Sequence, residues 1–336
     1  MNLGRPIGRS LARSSTDTAT LFFAGRQRLP SSSSSSSSTR RYMAMWPKVR
    51  PKRVRVITCD VTGTLVSFRG TLEEHYLGSA RKCGVELAPD VGIGKAFNKA
   101  YKEISHSHPC FGGSTLSGKD WWKLTVLKSF EYAGVDNMTP DQKERVFQRI
   151  YSAFGSLRAY EKFVDTMPFL HFAARKHIVC GVLSNADERY RDSVLPMLGV
   201  TDDELHFQTF SKEVNIEKPD PRVFFRSHED GRKTNCRPQR SSTTRSLLTY
   251  WERYVDGCVD VLYCTSRSDD LTLSLWTTTD YAKDFMGARR AGWHAVLLNR
   301  YGEEELAEEW KRRGAIVFED LMDIILWLGQ TGAQLG

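Results

Sequence analysis

The 336-residue chain is 40% apolar and 26% charged, an ordinary composition for a protein with one sizeable core and room for a smaller satellite. Its net charge of +8 is unevenly placed: residues 1–53 carry eleven Lys/Arg against the single acid Asp17, so residues 54–336 are slightly acidic. A folded part without basic excess gives no footing to a nucleic-acid partner, and no apolar run approaches the ~18 residues of a membrane span.

The leader is rich in Arg and in Ser, with an unbroken run from Ser31 to Ser38. It fits an organellar transit peptide, for a mitochondrion or a chloroplast, because its longest apolar core, Leu21-Phe22-Phe23-Ala24, is too short for a secretory signal. The alternative is a disordered basic tail on a cytosolic or nuclear protein. Seven cysteines (59, 83, 110, 180, 236, 258 and 264) form no Cys-x-x-Cys pair, which argues for a reducing compartment and against zinc.

Val54 to Cys59 is short, β-branched and followed by Gly63, the pattern of a buried central strand. From Phe68 to Arg175 the pattern is helical. Trp122, Val126 and Phe130 share one face, and Thr139-Pro140-Asp141-Gln142 opens a further helix with a capping box. Ile178 to Leu183 predicts a second strand, ended by Ser184-Asn185, and Glu188 to Leu198 a helix. Further on, Phe285 to Ala291 reads as helix, Ala295 to Leu298 as strand, Glu303 to Arg313 as helix, Ile316 to Phe318 as strand and Leu321 to Leu328 as helix. Strands alternating with helices predict an α/β fold, a Rossmann-like doubly wound parallel sheet. The core is assigned to 54–67 and 176–336, and 68–175 becomes a helical cap inserted over the sheet's carboxyl edge, where ligands bind in this architecture.

Residues 227–279 break the pattern and read as an insertion or as wrongly retained codons, expected to be poorly ordered. Val259 to Tyr263, running to Asp269-Asp270, is one strand candidate. The alternating Leu271, Leu273 and Leu275 are the other, and suit a half-exposed strand better than a central one.

Four signals fall at strand ends: Asp60 with Thr62-Gly63-Thr64, then Ser184, then Lys218 in EKPDP, then Asp280 and Asp284 before FMGARRAG. A carboxylate at the tip of a buried strand suits an aspartyl nucleophile attacking phosphorus. A hydroxyl and a cation would hold the phosphoryl oxygens, and an acidic pair would hold Mg2+. The order resembles the haloacid dehalogenase-like hydrolase superfamily. With SHSHPCFGGSTLSGKDWW, SNADERY and EKPDPRVF it resembles more narrowly the family of haloacid dehalogenase-like hydrolase domain-containing protein three. That resemblance implies a Mg2+-dependent phosphatase-like hydrolase working through a phosphoaspartate on a small phosphorylated metabolite, as a monomer or homodimer. It implies Asp60 as nucleophile and metal ligand, the Thr62 carbonyl, Asp280 and Asp284 as further ligands, Thr64, Ser184 and Asn185 around the phosphate, and Lys218 paired with Asp60.

Phosphatases of the superfamily carry a second Asp where this chain has Thr62. A threonine hydroxyl cannot supply acid–base help, worth roughly 10²–10⁴-fold, so slow turnover is expected. Two alternatives stand beside this one: a catalytically impaired binding or regulatory protein, and a metal-independent 2-haloacid dehalogenase. Trp121 and Trp122 are read as core of the helical insertion rather than as a lid.

Overall fold

The computed structural model describes residues 54–235 and 273–329; the leader, Val259–Tyr263 and Asp269-Asp270 lie outside the described residues. The described chain opens with β1 (Val54–Cys59), turns at 60–65 and enters an antiparallel ribbon of β2 (Val66–Phe68) and β3 (Tyr160–Lys162). Between the ribbon strands lie α1 (Leu72–Lys82), α2 (Ile93–Ser107), α3 (Gly118–Tyr132) and α4 (Pro140–Ala153). Helix α4 starts as its sequence predicts: the Thr139 hydroxyl accepts from Gln142 N, and the Gln142 side chain accepts in turn from Thr139 N. These four helices bury Tyr76, Phe97, Phe130, Phe147 and Ile150 in an apolar cluster of their own.

After the ribbon come α5 (Thr166–Arg175), β4 (Val179–Ser184), a π turn at Tyr190–Val194 with a helical turn at Leu195–Met197, β5 (Phe207–Phe210) and α6 (Pro221–Asn235). Then follow β6 (Leu273–Thr278), a π turn at Tyr281–Phe285, α7 (Met286–Arg290), β7 (His294–Leu298), α8 (Glu304–Arg312), β8 (Ile316–Phe318) and α9 (Leu321–Gly329). The six long-range strands make one parallel sheet ordered β5-β4-β1-β6-β7-β8. Its two faces feed different clusters. Val296 and Leu298 join Ile57, Val182 and Trp327 on one face, while Ala295 and Leu297 join Leu183, Phe224 and Trp310 on the other. Burial on both faces explains why β1, β4 and β7 read as continuous apolar runs.

Three expectations are corrected. Strand β6 is central, not half-exposed: it pairs with β1 through Cys59 and Thr277 and with β7 through Thr277 and Val296. Thr277 and Thr278 are fully buried there, which their β-branched shape allows, since threonine differs from valine only by its hydroxyl. The predicted helices at Glu188–Leu198 and Phe285–Ala291 each begin instead as a π turn. Finally, α5, grouped by sequence with the helical insertion, packs Phe169, Leu170 and Ala173 into the sheet's cluster. Among the described residues no helix is long and apolar enough to cross a membrane.

Candidate active site

The strand order reverses direction on either side of β1, with β4 on one flank and β6 on the other. A crevice opens beyond the carboxyl ends at such a point, because the connections leave the sheet in opposite directions. Asp60 follows β1, Ser184 ends β4 and Asp280 follows β6. The Asp60 amide donates to the Thr277 carbonyl at 3.0 Å, which fastens the first turn to β6. Gly63 then takes φ +81°, and a Cβ there would sit 2.9 Å from Thr279 Oγ1; glycine alone fits both demands. The turn closes on one carbonyl, Val61 O, which accepts from Leu65 N and Val66 N.

Lys218 is the hub. It is only 4% exposed, and its ammonium donates to Asp60 Oδ1 at 2.8 Å and to the Leu183 carbonyl at 3.3 Å while ion-pairing with Asp284 Oδ1 at 2.5 Å. Its backbone is clamped by Asn185: Lys218 N donates to Asn185 Oδ1 at 2.8 Å, and Asn185 Nδ2 donates to Lys218 O at 3.0 Å. Asn185, which the resemblance places at the phosphate, thus also positions the lysine. Burial alone would lower the lysine's pKa, but the carboxylates of Asp284 and Asp60 outweigh it and hold the ammonium charged well above the ordinary range. Asp284 feels the converse. Its pKa is raised to about 7, chiefly because burial pushes it up, with Lys218 pulling it down and Asp60 and Asp280 adding to the rise.

The two carboxylates of the acidic turn make different contacts. Asp284 accepts from the Thr278 hydroxyl at 2.5 Å through Oδ2 and ion-pairs with Lys218 through Oδ1. Asp280 caps the π turn through Lys283 N at 2.8 Å and lines the cavity. Among the described residues, no group of three or more His, Cys, Asp or Glu stands at metal-binding spacing. Mg2+ demands less, taking one or two carboxylates plus waters and phosphate oxygens. Asp60, Asp280 and the Thr62 carbonyl are hard oxygen donors of residues around one cavity, and that chemistry fits Mg2+.

Of the eight residues singled out by sequence, only Thr64 does not line this cavity. It is fully buried behind the turn, its hydroxyl has no partner among the described residues, and its carbonyl accepts from Arg300 Nη2 at 2.5 Å. Arg300 also pairs with Asp165 Oδ2 at 2.5 Å, and that same oxygen accepts from Leu321 N at 2.8 Å. This buried anchor gives no sequence signal, since its parts lie 135 and 156 residues apart. Thr62 Oγ1 is 2.9 Å from the hydroxyl of Tyr190, which stands 3.4 Å from that of Tyr160. Burial pushes the Tyr190 phenol up, so it remains protonated.

The cavity, about 130 Å³ in volume, runs from Asp60 and Lys218 to the aromatic rings of the helical segment. Trp121 is core, as expected, with its Nε1 donating to His108 O at 2.8 Å. Trp122 is not: it lines the cavity and donates through Nε1 to Asp187 Oδ2 at 2.8 Å. Asp187 is also chelated by Arg189, whose guanidinium lies 4.2 Å from the Tyr151 ring centre. Asp187 and Arg189 were missed, although SNADERY carries them.

A family model for "haloacid dehalogenase-like hydrolase" matches residues 54–226. The mouse protein "Haloacid dehalogenase-like hydrolase domain-containing protein 3" is 34% identical over 176 residues, 51% of this chain and 67% of that one. The Drosophila melanogaster "Rhythmically expressed gene 2 protein" is 27% identical over 277 residues, 75% of this chain and 89% of that one. A 2-haloacid dehalogenase from Pseudomonas syringae pv. tomato DC3000 superposes with a TM-score of 0.50 at 16% identity, covering 82% of this chain and 99% of that one, a likeness of fold alone.

Proposed function

The chain belongs to the haloacid dehalogenase-like hydrolases, and from that premise we propose that it is a Mg2+-dependent phosphatase acting through a phosphoaspartate on a small phosphate monoester. The observation that carries this reading is the buried Lys218 held against Asp60. A fixed ammonium aims the carboxylate beside it, and the same ammonium offsets the charge of an arriving phosphoryl group. Asp60 attacks phosphorus, the bond to the alcohol oxygen breaks, and the alkoxide takes a proton from water. A water molecule then attacks the aspartyl phosphate, releasing inorganic phosphate and restoring the carboxylate. Ser184, 5% exposed at the tip of β4, supplies a hydroxyl to the phosphoryl oxygens. Asp60, Asp280 and the Thr62 carbonyl would hold Mg2+, whose charge offsets that of the transferring group.

The test is phosphate release from a generic ester: it is expected with Mg2+ and lost with EDTA. Halide release from 2-chloropropionate without metal would favour the dehalogenase alternative, and inertness toward both substrates with an intact fold would favour the binding-protein alternative. Within the phosphatase reading, the weak step is the second one, because Thr62 offers no carboxylate to activate water. Thr62→Asp is therefore expected to speed hydrolysis of the phosphoenzyme about tenfold, less than the full worth of a general base because Tyr190 holds the new side chain. Single-turnover decay of the labelled phosphoenzyme measures it; an unchanged decay rate would place the bottleneck elsewhere.

A further inference from the structure

The cavity has two unlike ends. Around Asp60 it is polar, and toward the helices it is walled by rings, among them Tyr101, Phe111, Trp122, Tyr151, Phe154 and Tyr160. Several polar groups on that wall are committed inside the protein, while Arg189 Nη1 is buried without a hydrogen-bond partner among the described residues. The Asp187 carboxylate is taken by Trp122 Nε1 and by Arg189 Nε and Nη2. The Arg189 guanidinium lies over the Tyr151 ring, and the Tyr190 hydroxyl is shared between Thr62 and Tyr160. The loop that brings in Phe111 is also unusual. Cys110 and Phe111 adopt φ +52° and +54°, a left-handed conformation that non-glycine residues seldom take, and Gly112 and Gly113 follow at +88° and +50°. The loop is fastened to the segment leading to Lys218: Lys212 Nζ donates to the Gly113 and Leu116 carbonyls, Cys110 N donates to Glu217 Oε2 at 3.4 Å, and Gly113 lies so near Asn215 that a Cβ would meet its Oδ1 at 2.2 Å.

We propose that the substrate is a phosphate monoester whose alcohol carries an apolar ring, seated among these aromatic side chains while its phosphate meets Asp60 and Lys218. The reading rests on the phosphatase assignment and goes beyond it by naming the substrate's body. A sugar phosphate would leave most of its hydroxyls buried against carbon, with Arg189 Nη1 too little to serve them all, whereas a ring meets faces and edges of matching size.

The test compares 2-phenylethyl phosphate with glucose 6-phosphate, both esters of primary alcohols, so leaving-group chemistry is nearly matched. In parallel, their non-hydrolysable phosphonate isosteres are titrated calorimetrically into the full chain with Mg2+. The aryl phosphonate is expected to bind at least about 100-fold more tightly and the aryl ester to show a kcat/KM higher by a similar factor. Phe111→Gly, which suits the left-handed backbone and removes the ring, should weaken aryl phosphonate binding about tenfold. Equal affinities, a preference for the sugar, or no binding of either phosphonate would overturn the proposal. Tight aryl phosphonate binding with neither ester hydrolysed would overturn the phosphatase reading and leave the ring-binding site standing.

Discussion

Asp60→Asn is expected to reduce phosphate release by roughly 10⁴-fold or more while leaving the fold intact. An amide has the shape of the carboxylate and can still accept from Lys218, which sits 2.8 Å from Oδ1, so the unfolding free energy should change by no more than ~1 kcal/mol. What the amide lacks is nucleophilicity. Protein quenched in acid after exposure to a labelled ester should carry label in the wild type and none in the variant. Label persisting in Asp60→Asn would assign the covalent step to another residue.

Lys218→Met has the second large effect, and it falls on stability as well as on turnover. The substitution keeps apolar volume but leaves Asp60 and Asp284 facing each other without their shared cation, at a cost of about 3 kcal/mol near neutral pH. The cost depends on pH in a defined direction. Asp284 sits at about 7 in the folded protein against 3.8 when unperturbed. An acid whose folded pKa is raised subtracts from stability as pH rises from its unfolded value toward its folded one. Losing Lys218 removes a group that holds Asp284 down, so the folded pKa climbs and the subtraction extends to higher pH. Urea unfolding should therefore show a larger deficit at pH 8 than at pH 5, where the carboxyl keeps its proton. A deficit that is equal at both values, or larger at pH 5, would mean that the loss comes from packing rather than from charge.

Much of the site was legible in the chain because Asp60 and Ser184 end apolar runs, and a buried parallel strand advertises its own terminus. Lys218 was legible through EKPDP. The β6 strand was not, because it closes on Trp-Thr-Thr-Thr, and its hydroxyl at Thr278 is satisfied by Asp284, a tertiary partner that no local pattern reveals. Strand β5, with four residues, and the three-residue ribbon strands are too short to show a period. Trp121 and Trp122 illustrate a different limit. Neighbours on a helix point about 100° apart, so one can fill the core while the next faces the cavity, and composition cannot say which does which. The hydroxyl contact of Thr62 with Tyr190 spans 128 residues, which puts it beyond any reading of spacing.

Arg300 joins the turn behind Asp60 to Asp165 and, through that carboxylate, to the first amide of α9. The loop that carries Asp60 and the last described helix therefore share a fastening although they stand at opposite ends of the described chain. Fraying at Leu321 would release a tie on Asp165 and, through Arg300, slacken the peptide that aims Asp60. The Asp60 carboxylate keeps its bearing only while the last described helix stays wound at Leu321.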